Sequence, residues 1–478
     1  MAAVTGVNLL LQPAANFVHL ISIMEISEYL LTKYNVSVPR YTSYPTVPYW
    51  DEQIDTEKWK AVFREQFLLK NSAEGISLYI HLPFCESLCT YCGCNKKITT
   101  NHGVETDYLK TILKEWDIYT ALMPETPIIR ELHLGGGTPT FFSPGNLQLL
   151  LEGIFNKASI HPLHEFSIEG HPNNTTRAHL ETLFKLGFRR VSYGVQDNDP
   201  EVQRIINRIQ PIENVQRATD IAKQTGFESV NFDLIYGLPL QTLQSLEKTI
   251  LQSIEMKPDR IAFYSYAHVP WTSRGQRLFD EQDLPSTEDK MKLYQLGKKL
   301  FTENGYSNIG MDHFALPTDD LFKAQQEGRL HRNFMGYTTQ QTGMIIGLGV
   351  SSISDTGTAF AQNEKTLHNY VARVDQQELP VCKGYFLTAE DIAFKEYILG
   401  ISCRESIAFR KEDMPPINQY CIPELKKMEA DGLLTLHPGG LTVTETGRNF
   451  TRNICSAFDL KLLRQKIKAD NPIFSRAV

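Results

Sequence analysis

Tyr79-Ile80-His81-Leu82-Pro83-Phe84-Cys85-Glu86-Ser87-Leu88-Cys89-Thr90-Tyr91-Cys92-Gly93-Cys94 runs from a β-rich apolar stretch into a cysteine-dense loop. Three thiolates at i, i+4 and i+7 can each ligate one iron of a four-iron cubane, leaving the fourth iron open to a substrate or cosubstrate. Structural zinc is the competing reading. Zinc favours closed four-ligand sites, commonly two separated cysteine pairs. Cys382, Cys403, Cys421 and Cys455 have no metal-ligand spacing, and Cys94 stands so close to Cys92 that a tetrahedron would be strained. The spacing points to an iron–sulfur cluster on Cys85, Cys89 and Cys92.

Outward from that loop, short β-rich runs alternate with amphipathic helical stretches. The predicted strands are Ser77–His81, Ile129–Leu134, Glu165–Glu169, Arg190–Val195, Val230–Ile235 and Arg260–Tyr266. Between or after them fall helices at Asp107–Tyr119, Asn146–Phe155, Arg177–Leu186, Ile212–Thr225, Leu243–Ile254 and Thr287–Asn304. Such alternation implies right-handed βαβ crossovers and a parallel sheet. Six units predict an α/β fold with a partial (β/α)6 barrel over residues 71–361. Cys85, Gly135, Glu169, Gln196, Asp233 and Ala267 fall at or just past the C-terminal ends of these strands, the edge where parallel α/β barrels keep their active sites.

Past Gln362 the alternation stops. Residues 362–478 read as a mostly helical, winged-helix-like domain with a hairpin: Leu433–Leu436, a turn at His437–Gly440, then Leu441–Thr444. No basic recognition helix accompanies it. Residues 24–70 read as an N-terminal extension over the site. Residues 1–23 are expected to be an unstructured leader, with translation starting at Met24, because no Lys or Arg occurs before Lys33 to make a signal or transit peptide.

The composition, 42% hydrophobic and 22% charged over 478 residues, is that of an ordinary globular protein. A net charge of -7 with no basic stripe argues against nucleic acid. The apolar run Val18–Ile23 is too short to span a bilayer. Eight cysteines, four of them within ten residues, suggest a reducing compartment rather than a disulfide scaffold. The expectation is a cytoplasmic monomer.

Cys85-x-x-x-Cys89-x-x-Cys92, with Tyr91 before the third cysteine, is similar to the radical-SAM signature. The fuller set resembles the oxygen-independent coproporphyrinogen III oxidase family. The matching pieces are Pro39–Thr46, the cysteine loop through Cys94, Gly135–Thr140, Gly194–Asp197, Val202–Arg204, Asn207-Arg208, Asp233–Pro239, Tyr266–His268 and His331–Phe334. The resemblance spans about Val38 to Asp459.

It implies one 4Fe-4S cluster on Cys85, Cys89 and Cys92, with S-adenosyl-L-methionine (SAM) as cosubstrate, in one or two copies. Catalytic roles are implied for those cysteines, Tyr79 and Glu169. SAM contacts are implied for Tyr79, Tyr91, Cys94, Gly136, Gly137, Thr138, Glu169, Gln196, Arg208, Asp233, Ala267 and Ile353. The glycines would take SAM's amino group, Arg208 its carboxylate and Asp233 its ribose. The activity implied is oxidative decarboxylation of two propionates of coproporphyrinogen III to vinyl groups, giving protoporphyrinogen IX. A reduced flavodoxin or ferredoxin would supply the electrons. The alternatives are a haem-binding chaperone of the same fold, or a radical-SAM enzyme acting on another tetrapyrrole. Cys94 favours the oxidase, since the haem-trafficking relatives usually carry Phe there. Two departures bear on the cofactor contacts: Met335 stands where the family more often has Gln, and Gly170-His171-Pro172 where it more often has Asp-Pro. On charge alone, Arg332 is a candidate for meeting the substrate's propionates.

Overall fold

The computed structural model of this chain describes residues 27–271 and 273–466. The leader and the Met24 start expected above lie outside the described residues. Six parallel strands lie in order across the sheet: β1 (Ile76–Leu82), β2 (Ile128–Gly136), β3 (Ser159–Gly170), β4 (Phe188–Gln196), β5 (Ser229–Tyr236) and β6 (Arg260–Ser265).

Alternation along these strands explains why they form a curved wall. Ile76, Leu78, Ile80 and Leu82 of β1 are fully buried. So are Phe166 and Ile168 of β3, Val230, Phe232 and Leu234 of β5, and Ile261 and Phe263 of β6. They share one core with the helices. The intervening positions are polar and line a chamber: Glu131 and His133, Ser167 and Glu169, Arg190 and Ser192, Asn231 and Asp233, Arg260 and Tyr264. A period of two thus puts apolar groups against helices and polar ones inside. The crossover helices start on local signals. Thr176 and Thr242 cap Arg177–Lys185 and Leu243–Glu255 with reciprocal capping boxes.

The sheet is wider than six strands. Ile345–Leu348 pairs parallel with β1 on its other side, and short antiparallel strands extend both edges to twelve in all. The added strands are short and mostly antiparallel, so the alternation of β and α units could not reveal them. The sheet also continues past residue 361: Ala359–Asn363 pairs with Val381–Phe386, its last strand on that side.

Residues 389–466 are mainly helical, with a three-stranded sheet of Ser406–Ala408, Leu434–His437 and Gly440–Val443. The N-terminal segment crosses from β6, the last parallel strand, to the opposite edge of the main sheet. Arg40 donates to the Ser265 carbonyl at 2.8 Å. Eleven residues on, Asp51 pairs with Gly384 of the opposite edge strand. The C-terminal region clasps this strap, with Arg452 donating to the Val38 carbonyl at 2.7 Å and Tyr41 to Asp459 at 3.0 Å. Among the described residues no helix is long and apolar enough to cross a membrane.

Candidate active site

A cleft of about 1130 Å³ opens at the C-terminal ends of the parallel strands. Its wall includes Cys85, Cys89, Tyr91, Cys92, Cys94, Gly136, Gly137, Thr138, Glu169, Gln196, Arg208 and Asp233. These residues come from the cluster loop, β2, β3, β4, the turn after Pro200–Ile205, and β5, so strand order alone gathers them.

The cluster loop leaves β1 at Leu82 and is pinned beside β2, with the Gly137 and Thr138 amides donating to the Leu82 and Phe84 carbonyls. The Thr138 hydroxyl lies 3.4 Å from the Cys85 sulfur, and an Arg208 guanidinium nitrogen lies 3.6 Å from the Cys89 sulfur. Burial pushes the Cys85 thiol up, whereas a hydrogen bond from the Cys94 thiol pulls Cys92 down. Among the described residues, no three His, Cys, Asp or Glu side chains lie close enough to share one metal ion.

The glycines after β2 are there for closeness. Gly136 has φ +117°, and a β-carbon on it would meet the His81 ring at 2.6 Å. A β-carbon on Gly137 would lie 2.5 Å from the Pro83 carbonyl oxygen. Only glycine lets this backbone pack so closely against His81 and Pro83, and both glycines also line the cleft. The Gly136 amide donates to Glu169 Oε2 at 3.1 Å, and His133 Nε2 lies 3.3 Å from Glu169 Oε1. Desolvation in the cleft wall raises the Glu169 carboxyl, but these hydrogen bonds outweigh it and hold the group below its ordinary value.

Arg208 donates to the Gly194 carbonyl at 2.6 Å, while its buried Nε has no hydrogen-bond partner. A half-buried guanidinium with an unpaired donor at a cleft wall is suited to a carboxylate, which it can grip through its planar fork. Asp233 accepts from Asn231 at 2.8 Å and Ser192 at 3.1 Å. Burial, then the nearby Glu169 charge, pushes its carboxyl up to about 7.

Tyr79, Ala267, Ile353, Met335 and Arg332 lie apart from the cleft wall. Tyr79 sits behind Gly135, its ring stacked on His133 at 5.9 Å between centroids. Ala267 contributes a carbonyl that accepts from Gln276, which also donates to Tyr91. The Ile353 backbone lies against Gly347, which is in register with Tyr79. His171 lines the cleft, with burial pushing its imidazole down to about 3. Met335 lines the polar chamber behind the cleft together with Glu169, Asp233 and Tyr264. Arg332 does not face the cleft: it is 8% exposed and donates to the Arg40 and Tyr41 carbonyls at 3.0 and 2.7 Å. There it clasps the strap. Sequence reading missed His133, Ser192 and Asn231, which hold Glu169 and Asp233. Each is two positions from a polar strand residue, and that spacing was the available signal.

The Radical SAM superfamily model matches residues 79–252, from β1 to the helix after β5. Oxygen-independent coproporphyrinogen III oxidase from Synechocystis is 37% identical over 465 residues, which is 95% of this chain and 98% of that protein. Its counterpart from Helicobacter pylori (strain 26695) is 39% identical over 443 residues, covering 90% of this chain and 96% of the relative. The chain belongs to the oxygen-independent coproporphyrinogen III oxidase family. A solved structure of coproporphyrinogen III oxidase from Escherichia coli, described as a radical SAM enzyme, superposes with a TM-score of 0.84. It is 36% identical and covers 91% of this chain and 99% of that one. Membership of the radical SAM superfamily implies a 4Fe-4S cluster and SAM. The residues present fit both groups: three thiols at the cleft mouth, a side-chain-free backbone at Gly136 and Gly137, and the unpaired Arg208 Nε.

Proposed function

We propose that this chain converts two propionate side chains of coproporphyrinogen III to vinyl groups, yielding protoporphyrinogen IX in haem biosynthesis without oxygen. In this reading Cys85, Cys89 and Cys92 hold the cluster, and the chain works as a cytoplasmic monomer supplied by reduced flavodoxin or ferredoxin. When bound, the cluster and SAM supply a low-potential electron and a hydrogen-abstracting 5′-deoxyadenosyl group. The protein supplies orientation and a water-excluding cavity. Gly136, Gly137 and Glu169 would receive SAM's ammonium, since the carboxylate is ionised and both glycines line the cleft. Arg208 would receive its carboxylate and Asp233 its ribose hydroxyls. Tyr91, Cys94, Thr138 and Gln196 would complete that pocket, and Tyr79, Ala267 and Ile353 would bear on it from behind or alongside. A second SAM would adjoin the same cleft.

The observation that carries this reading is the meeting in one cleft of three thiols, glycine backbone and a half-buried arginine with an unpaired donor. The test is an anaerobic assay of cluster-loaded protein with dithionite, SAM and coproporphyrinogen III, read by chromatography. The expected outcome is protoporphyrinogen with methionine and 5′-deoxyadenosine. SAM cleavage without decarboxylation would move the substrate to another tetrapyrrole. A fully loaded cluster with no SAM cleavage would favour a haem carrier.

A further inference from the structure

The cleft is larger than the SAM contacts named above require. Its wall also includes Pro139, Phe141, His171, Asn173 and Ile209. At about 1130 Å³ it exceeds the ~300–1,000 Å³ usual for one small-molecule pocket, so a second molecule fits beside SAM. Ile209 keeps 62% of its surface exposed on this wall, where its apolar side chain can meet a ring face.

The wall's basic side chains are Lys96, His102, His171, His179 and Arg208. Four of them are accounted for. Arg208 faces SAM's carboxylate in the reading above. Burial holds the His171 and His179 imidazoles below their ordinary value, and His179 is bonded on both sides, to Thr176 and the Phe142 carbonyl. His102 is held by Glu105 at 2.7 Å and Glu86 at 3.4 Å. Lys96 differs. It is half-buried, and its Nζ donates to the Cys92 and Cys94 carbonyls at 3.0 and 3.4 Å. Both acceptors are neutral, and no carboxylate among the described residues pairs with it. An ammonium has three N–H donors, so one remains. The cleft thus holds an unneutralised charge, fixed against the peptides of the cluster loop.

We infer that Lys96 anchors the tetrapyrrole substrate through a carboxylate, gripping a propionate other than the one that reacts. This rests on the function proposed above. The reacting propionate gives up its charge as it loses carbon dioxide. An ammonium paired with it would stabilise the ground state more than the transition state and slow the step. Paired with a different propionate, the same charge stabilises both states alike and fixes which side chain lies over SAM. A charge-assisted hydrogen bond is strong enough for that role, and the third Nζ donor supplies it.

The test uses the full, cluster-loaded chain without oxygen, with coproporphyrinogen III binding read by calorimetry in the absence of reductant. Lys96→Gln keeps an amide donor for the loop carbonyls and removes the charge. It is expected to weaken binding roughly tenfold to a hundredfold and to flatten its dependence on salt, with iron content unchanged. Lys96→Arg is expected to restore most of the affinity. In turnover, the KM of Lys96→Gln is expected to rise by more than kcat falls. Native affinity in Lys96→Gln overturns the proposal. A fall in kcat with KM unchanged also overturns it, because Lys96 would then only support the cluster loop. If Lys96→Gln loads no iron, acylation of lysines in the native chain decides. Saturating coproporphyrinogen III is expected to protect Lys96 but not its exposed neighbour Lys97, and equal labelling of Lys96 with and without it overturns the proposal. Binding to the native chain without decarboxylation would sink the reaction proposed above and leave this contact standing, whereas no binding at all sinks both.

Discussion

Asp233 is the residue whose charge the cleft controls most directly. An ordinary Asp ionises near ~3.9, whereas burial and the Glu169 charge raise this one to about 7. Folded and unfolded chains both hold the proton at low pH. As pH rises toward the folded value, the unfolded chain has already lost it, so ionisation favours unfolding. Asp233→Asn removes that dependence while keeping the shape. The variant's stability margin over the native protein is expected to widen by about 1–2 kcal/mol between pH 5.5 and pH 8. Denaturant midpoints at the two pH values measure it, and a constant margin would contradict the raised carboxyl. His133 belongs to the same scale. Its place beneath Glu169 is not visible from residue type, because a strand histidine is as often packed as functional.

The strap of residues 40–51 is the element on which the covering of the barrel depends. Its carbonyls at Arg40 and Tyr41 accept two hydrogen bonds from the Arg332 guanidinium, which also lies over the Tyr337 ring at 5.4 Å. Trp50 stacks on Phe360 at 4.9 Å at the other end. Arg332→Met retains bulk but leaves the two carbonyls unpaired, at a cost of about 1.5–3 kcal/mol. If the strap opens locally, its cleavage by a protease is expected to rise roughly tenfold to a hundredfold with cluster content unchanged. Mass spectrometry of the fragments reads the site, and an unchanged rate would mean that Arg332 does not hold the strap. Pro39–Thr46 was recognisable as a motif from the sequence. Its contact with Arg332, about 290 residues on, was not.

At the scale of the whole molecule, buried and partly buried ion pairs close the end of the chamber away from the cleft. Arg260 and Asp319 pair at 2.7 Å with side chains 4% and 1% exposed. Ser229 and the Leu321 amide also donate to Asp319. Arg190 pairs with Glu165, to which Thr339 also donates. Breaking one member leaves an uncompensated buried charge. Asp319→Asn is therefore expected to lower global stability by about 3–5 kcal/mol, read from the denaturant midpoint. A loss below about 1 kcal/mol would mean that water reaches the pair.

The parts legible beforehand are those that neighbouring residues encode. Cysteine spacing, glycines after an apolar strand, capping residues and the alternation of β and α units are local, so the sequence by itself determined the barrel, its crossover order and most of the cleft wall. The tertiary structure alone decided the rest. Ile345–Leu348 joins β1, the sheet runs on through Val381–Phe386, the strap meets Arg332, and Ser273 and Gln276 back the cluster loop. These contacts join segments far apart in the chain, and their free energy comes from burial and pairing that exist only once the chain has closed on itself. No window of sequence carries that information, because each partner alone is an ordinary arginine, tryptophan or short apolar run.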